Sequence, residues 1–290
     1  MIDLHLHSSA SDGSETPSQL IEHALELKLK AIALTDHDTI AGLEELVTYG
    51  ESKDIIVIPG IEISIRHEPI RKLIDVHIIG LKIDYTSTRL NNSINKQIKG
   101  RLKQKKAICK RLQDEFGYEI SFEDVKAVAG NQVVGRPHIV EIMKKNNPEK
   151  VKGKTKNELF KMISIGGDAF VDREVELNLE ESIELIKSAG GIPILAHPGI
   201  YEVSDRKTFI EFCIDAGIEG IEVEYTYAKN RPYYNTNKAD WAQQYFPNYY
   251  RKIANDFNLI KSGGSDYHGN KKRIKMGEAN VPDTYIKSFL

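Results

Sequence analysis

Two histidines stand one residue apart at the start of the chain, in Ile2-Asp3-Leu4-His5-Leu6-His7. Side chains alternate faces along an extended segment. His5 and His7 therefore share one face, and Leu4 and Leu6 share the other. Two imidazoles one pleat apart can chelate a single metal ion. A surface strand that happens to carry two histidines fits those residues equally well, so the decision rests on what the rest of the chain supplies. Acid and imidazole groups recur at or just after later apolar runs: Asp12, His37, Glu62, His77, His197, Asp266 and His268. With His5 and His7 they make nine candidate ligands, and they hold six of the nine histidines in the chain. Random scatter would put histidines on helix faces as often. Nitrogen and carboxylate donors without thiolates suit zinc, manganese or iron. Nine donors exceed the needs of one ion; two or three divalent ions fit better, with a carboxylate bridging.

The elements that must position these groups alternate. Ile2 to Leu6 reads as a strand. Thr16 caps a helix that begins at Pro17 and runs near Leu29, with Leu20, Ile21, Ala24, Leu25 and Leu27 as its apolar side. Ala31 to Leu34 is the next strand and ends in Thr35-Asp36-His37-Asp38; a helix follows near Gly42 to Gly50. Ile55 to Ile58 is a strand broken by Pro59-Gly60 and followed by Ile61-Glu62-Ile63-Ser64; Leu73 to Leu81 is another, containing His77. After residue 178 the pattern resumes. A helix over Leu179 to Ala189 ends at Gly190-Gly191, and the strand Ile192 to Ala196 delivers His197. Ile218 to Tyr225 follows, with Glu222 and Glu224 on one face, and Leu259-Ile260-Lys261 leads into Ser265-Asp266-Tyr267-His268. Such alternation argues for parallel βα units with both sheet faces covered. A parallel barrel places its active site at the strand ends, where these ligands cluster.

The middle differs. From about Thr88 to Glu174 lysine and arginine are dense and the period is helical. Ile98, Leu102, Ile108 and Leu112 mark one long amphipathic helix, and Ser121 to Asp124 offers a capping box for a short one. Gly135-Arg136-Pro137-His138 opens another. The stretch reads as a helical insertion or lid whose lysines form a solvated face. Tyr227 to Tyr250, rich in tyrosine and asparagine, is expected to pack against the barrel, with base stacking as the alternative. His23 and His67 read as ordinary packed or surface residues.

Composition narrows the function classes. A net charge of -2 gives no bulk attraction to nucleic acid or membrane, so an anionic substrate must be held by local cations or metal. Cys109 and Cys213 show neither metal spacing nor a disulfide framework. No signal peptide precedes the first strand and no apolar run is long enough to cross a bilayer, so a cytoplasmic protein is expected, with no obligate protein partner evident.

The pieces His5-Leu6-His7, Thr35 to Asp38, Pro59 to Glu62, His197-Pro198 and Ser265 to His268, in that order, resemble the PHP (polymerase and histidinol phosphatase) superfamily of metal-dependent phosphoesterases. The resemblance implies a distorted seven-stranded (β/α)7 barrel over residues 1–87 and 175–290, with a mainly helical insertion over 88–174. It implies a trinuclear site: His5, His7, Glu62 and Asp266 on one metal; Glu62, His77 and His197 on a second; Asp12, His37 and His268 on a third. Gly135 to His138, Phe160, Gly166 to Val171 and Ala189 to Gly191 look like the branch that hydrolyses nucleotide phosphates and trims short RNA.

The implied chemistry is hydrolysis by a hydroxide held between metals, which lower the pKa of bound water. Glu62, Asp36 and His268 belong to the expected catalytic set, with Asp36 and Asp38 flanking His37 and orienting it. Arg136 and His138 are expected to bind substrate phosphate. As a residue alone Arg136 reads equally as an ordinary helix-start arginine, and the resemblance decides. The expected substrates are AMP or other nucleoside monophosphates, 3',5'-bisphosphate nucleotides or short oligoribonucleotides. The rivals are a histidinol-phosphate phosphatase, a polymerase-attached proofreading module, and a metal-binding regulatory module without activity. The insertion with Arg136 argues against the first, the missing polymerase sequence against the second, and the complete ligand set against the third.

Overall fold

A computed structural model gives the fold and describes every residue except 69, 70, 72 and 131–133. The chain divides into two compact units, Met1–Ile94 with Leu177–Leu290, and Asn95–Glu176. The first unit takes in the start of the long helix, where Leu90 and Ile94 are buried.

The first unit holds a seven-stranded sheet in sequential order: β1 (Ile2–Leu6), β2 (Ala31–Leu34), β3 (Ile56–Ser64), β4 (His77–Leu81), β5 (Ile192–Leu195), β6 (Gly220–Tyr225) and β7 (Ile260–Gly264). The sheet curls until its edges meet. His7 N donates to Tyr267 O at 3.0 Å and Asp266 N to His5 O at 2.9 Å, and Leu6 bridges Tyr267 in parallel. Gly264 permits this approach, since a Cβ there would collide with the backbone of His5. The result is a nearly closed, distorted barrel of strands and helices, which removes exposed sheet edges.

The helices are α1 (Pro17–Glu26), α2 (Leu43–Gly50), α3 (Thr88–Asp114), α4 (Phe122–Ala129), α5 (Arg136–Asn146), α6 (Lys156–Met162), α7 (Leu179–Ser188), α8 (Arg206–Asp215) and α9 (Ala239–Asp256). Local chemistry sets their starts. Thr16 caps α1 by accepting from Gln19 N while the Gln19 side chain returns to Thr16 N, with Pro17 in the first turn. Asn178 and Glu181 form the same reciprocal pair at α7. Among the core residues of the barrel, Ile2, Leu4, Ala31, Ala33, Ile79 and Ile194 are fully buried. Each larger aliphatic side chain so buried stabilises by about 1.5–3 kcal/mol. The helical unit has its own core, in which Ile108, Leu112, Val125, Ile139, Met143 and Ile163 pack.

Two features depart from the parallel reading. β3 does not break at Pro59-Gly60. It pairs in parallel with β2 through Pro59, then in antiparallel with β4 from Gly60 onward. β4 is antiparallel to both neighbours. His77 therefore sits at the start of its strand and still reaches the barrel end that the other ligands share, because Ser64 at the end of β3 faces His77. The second half of the tyrosine-rich stretch forms the start of α9, the helix between β6 and β7, with Phe246 and Tyr250 buried against Tyr227.

Candidate metal centre

Glu62 of β3 is the hub. Its Oε1 lies 2.9 Å from His77 Nδ1 and 2.9 Å from His197 Nε2. Its Oε2 lies 3.4 Å from His5 Nε2, 3.3 Å from His7 Nε2 and 3.0 Å from His37 Nδ1. One buried carboxylate thus faces five imidazoles from β1, β4 and the ends of β2 and β5. Asp266, just past β7, places Oδ1 3.3 Å from His7 Nε2 and 3.8 Å from His5 Nε2. Asp12 places Oδ1 3.2 Å from His268 Nε2 and 3.8 Å from His7 Nδ1. Gly13 lets the loop carrying Asp12 fold back on β1, since a Cβ there would collide with the carbonyl of His7.

All nine expected ligands come together. They form four overlapping sets whose donor atoms lie within 4.8 Å of one another: His7, Asp12, His37 and His268; His5, His7 and Asp266; His5, Glu62 and His197; His37, Glu62 and His77. These donors fit metal ions. Among the described residues His7 Nδ1, His37 Nδ1, Glu62 Oε2 and His268 Nε2 are buried without a hydrogen-bond partner, although an unpaired buried polar atom is costly. His5 Nε2 and His7 Nε2 face each other at 3.1 Å. Because His5 Nδ1 is turned to the Glu222 carboxylate at 2.9 Å, its Nε2 lone pair is the one that meets His7. Facing lone pairs need a cation or a proton between them.

Charge arranges the donors as a divalent cation requires. Burial raises the Glu62 carboxyl, but His37, His77 and His5 outweigh it and hold it well below the usual carboxylate range. Asp12 and Asp266 are held low in the same way, the first by His268 and His37, the second by Lys272 and His268. Burial, Lys272 and His7 lower His268 to about 4. Its Nδ1 donates to the Asp266 carbonyl at 2.9 Å, which in the neutral ring leaves Nε2 as the candidate ligand atom.

A further layer holds the donors in place. Asp36 is in none of these donor sets. It accepts from Ser8 N at 2.8 Å, Ser8 Oγ at 2.6 Å and Ser11 Oγ, and so fixes the loop that carries Asp12. Asp38, at a positive φ of 49°, accepts from Ser64 N at 2.8 Å. His197 and Asp266 also lie in the left-handed region, at φ 30° and 57°, a strain that clusters at functional sites. Tyr225 donates to Asp266 Oδ2 at 2.7 Å. Glu222 is the residue that sequence reasoning passed over: it pairs with His5 through Oε1 and accepts from His197 N at 2.6 Å through Oε2. Strand alternation paired it with Glu224. A register shift between the two sends Glu224 instead to Arg251 and Tyr285. His23 sits 3.3 Å from Glu15 and His67 accepts from Asp75 N; neither joins the cluster. Arg136 and His138 belong to the helical unit, where Arg136 Nη1 donates to Ser164 Oγ at 3.0 Å and His138 Nδ1 accepts from Gly135 N at 3.0 Å. Among the described residues no helix is long and apolar enough to cross a membrane.

A family model for the PHP domain matches residues 3–188. Over 285 residues the chain is 31% identical to a 5'-3' exoribonuclease of Haemophilus influenzae, which spans 95% of this chain and 93% of that one. Over 230 residues it is 30% identical to a 3',5'-nucleoside bisphosphate phosphatase of Chromobacterium violaceum, spanning 77% of this chain and 76% of that one. A solved structure described as a metal-dependent phosphoesterase from Bifidobacterium adolescentis superposes with a TM-score of 0.78 at 26% identity, over 100% of this chain and 95% of that one. The largely buried nitrogen and carboxylate cluster at one end of a seven-stranded barrel and the family match over more than half of the chain agree: the chain belongs to the PHP domain family and is a metal-dependent phosphoesterase.

Proposed function

We propose that the protein hydrolyses phosphate esters of nucleotides, whether nucleoside monophosphates, 3',5'-bisphosphates or short oligoribonucleotides, with two or three divalent ions of manganese, zinc or iron. The observation that carries the reading is Glu62, whose two oxygens serve five imidazoles. Such sharing suits a carboxylate that bridges ions. His5, His7, Glu62 and Asp266 would hold one ion, Glu62, His77 and His197 a second, and Asp12, His37 and His268 a third. Bound divalent ions supply Lewis-acid stabilisation of phosphoryl oxygens and a water acidic enough to attack phosphorus near neutral pH.

The chain's own residues do the rest. Glu62 and His268, with Asp36 fixing the loop of Asp12, keep the donors in place. Burial of His5, His7 and Glu62 excludes bulk water from their side of the site and strengthens their electrostatics. Arg136 and His138 of the helical unit are assigned to substrate phosphate, Arg136 as a planar fork. The two relatives named above act on RNA and on a nucleoside bisphosphate by their descriptions, which supports a nucleotide substrate here. The test is phosphate release by the metal-loaded protein across nucleoside monophosphates, 3',5'-bisphosphates, short oligoribonucleotides and histidinol phosphate. Turnover of the nucleotide members and little of histidinol phosphate is expected. The reverse order would overturn the reading.

A further inference from the structure

The antiparallel pair of β4 and β5 is interrupted at the end that carries two of the candidate ligands. One step beyond the Ile78–Leu195 pair, His77 stands opposite Ala196. Residues so placed ordinarily exchange two backbone hydrogen bonds. One is direct here, from Ala196 N to His77 O at 3.2 Å. The other runs through a side chain: His77 N donates to Tyr201 Oη at 3.0 Å, and Tyr201 Oη donates to Ala196 O at 2.8 Å. Tyr201 follows the single helical turn Pro198–Ile200 just past β5. Arg206 holds that turn by donating from Nη1 to Pro198 O and Tyr201 O, at 3.1 and 3.2 Å. The Tyr201 ring is buried, edge-on to His197 and to Phe209 of α8.

The same hydroxyl lies 3.2 Å from His197 Nδ1. Its bonding capacity decides the tautomer of that ring. A hydroxyl has one proton and two lone pairs. The Ala196 carbonyl can only accept, so it takes the proton. The His77 N–H can only donate, so it takes one lone pair. The lone pair that remains faces Nδ1, which must therefore carry a hydrogen. Turning the hydroxyl proton to Nδ1 instead would leave Tyr201 Oη and Ala196 O as two acceptors facing each other at 2.8 Å. With Nδ1 protonated, His197 Nε2 keeps its lone pair and faces Glu62 Oε1, 2.9 Å away. That oxygen also lies 2.9 Å from His77 Nδ1. One hydroxyl thus governs both imidazoles around one Glu62 oxygen, through the ring proton of His197 and the backbone of His77.

We propose that Tyr201 is a positioning residue for a metal ion held between Glu62, His77 and His197. Its hydroxyl keeps the His197 proton on Nδ1, so that Nε2 meets the ion as a lone pair. It also fixes the strand end from which His77 reaches the same ion. The inference rests on the placement of that ion and not on the nucleotide reading. A phenylalanine at this position keeps the ring packing and loses both effects. The His197 proton is then free to sit on Nε2, and the ion must displace it in order to bind.

The test reads zinc and a ring proton rather than turnover. The full-length, zinc-loaded protein is titrated with a chelator of known affinity, as wild type, Tyr201→Phe, Phe209→Leu and His197→Gln. Tyr201→Phe should lose affinity for one ion by about 10–100-fold and hold any other as wild type does. Phe209→Leu takes packing from the Tyr201 ring without touching the hydroxyl. It should lower Tm and leave every zinc affinity unchanged. Nitrogen NMR of the zinc-loaded wild type, assigned by the signal lost in His197→Gln, should show His197 protonated at Nδ1. A bare Nδ1 would overturn the proposal. So would zinc release from Tyr201→Phe identical to wild type, or an equal loss of affinity in Phe209→Leu, which would make the effect one of packing. His197→Gln should lose the same ion. A full and equally tight zinc complement in that variant would overturn the placement of the ion itself, a failure distinct from that of Tyr201.

Discussion

Glu222 Oε1 lies 2.9 Å from Nδ1 of His5, on the side of the imidazole opposite the nitrogen that meets Glu62. The other oxygen of Glu222 accepts from His197 N at 2.6 Å. One carboxylate therefore fixes the tautomer of a β1 donor and the backbone of a β5 donor. An amide cannot do both. With its oxygen toward His5, its NH2 would face the His197 N–H; reversed, it would force His5 to carry its proton on the ligand nitrogen. Glu222→Gln should keep the fold and weaken metal binding by about 10–100-fold, as loss of a carboxylate behind a histidine ligand typically does. Competition against a chelator of known affinity measures it. Unchanged metal affinity would show that Glu222 only fills space.

Glu62→Gln tests the hub. An amide oxygen cannot neutralise two cations, and an amide nitrogen would point a donor at imidazoles that need an acceptor. The variant should lose turnover and at least one equivalent of metal, while its circular dichroism stays that of the wild type. Near-normal turnover would remove Glu62 from the bridge.

Metal removal should act on stability as well as on rate. Ligands that bind only the folded chain stabilise it, by roughly 2.7 kcal/mol per ion at a hundredfold excess over Kd. Chelation should abolish phosphoester hydrolysis and lower Tm, and added manganese, zinc or iron should restore both. Full activity in a protein shown by elemental analysis to be metal-free would refute the centre.

Several of the candidate ligands were legible because they obey a local rule: an apolar run ends and a histidine or acid follows. His197 after Ile192–Leu195 and Asp266 after Ile260–Gly264 are of this kind. What escaped depended on pairing across the chain. The antiparallel run of β4 is set by where Gly60 to Ser64 finds its partner, which no single segment encodes. Glu222 escaped for a similar reason. Alternation treats it and Glu224 alike, and only the register shift against β7 separates them. Asp36 was legible as a neighbour of His37 but not as the clamp on Ser8 and Ser11, some 25 residues earlier.

Arg136→Ala probes the substrate. Arg136 is half-buried and donates to the Ser164 hydroxyl in the helical unit, so the fold should survive and metals held by the barrel should stay. Loss of a charged contact to substrate phosphate should cost about 2–4 kcal/mol of transition-state stabilisation on nucleotides. Activity on p-nitrophenyl phosphate should fall much less if Arg136 binds a neighbouring phosphate, and comparably if it binds the scissile one. Equal kcat/KM on nucleotides in variant and wild type would remove Arg136 from the site and return histidinol phosphate to equal standing.

Lys105 gives a prediction about pH. Burial first, then Arg101, Arg136 and Arg173, push its ammonium well below the ordinary 10.5. A lysine depressed in the folded state holds its proton more weakly there than in the unfolded chain. Between the depressed value and 10.5 the unfolded chain binds the extra proton, so stability rises with pH across that window, by at most about 1.4 kcal/mol per pH unit. Below the window both states are protonated and the cost is largest; above it the cost is gone. Lys105→Met has no such group. It should therefore be more stable than wild type at neutral pH, and the gap should close as pH approaches 10.5. Denaturant titrations of both proteins between pH 6 and 10 would measure the gap. A gap that stays constant or widens with pH would mean that Lys105 keeps its proton throughout, and that its cationic neighbours are balanced by charge from elsewhere.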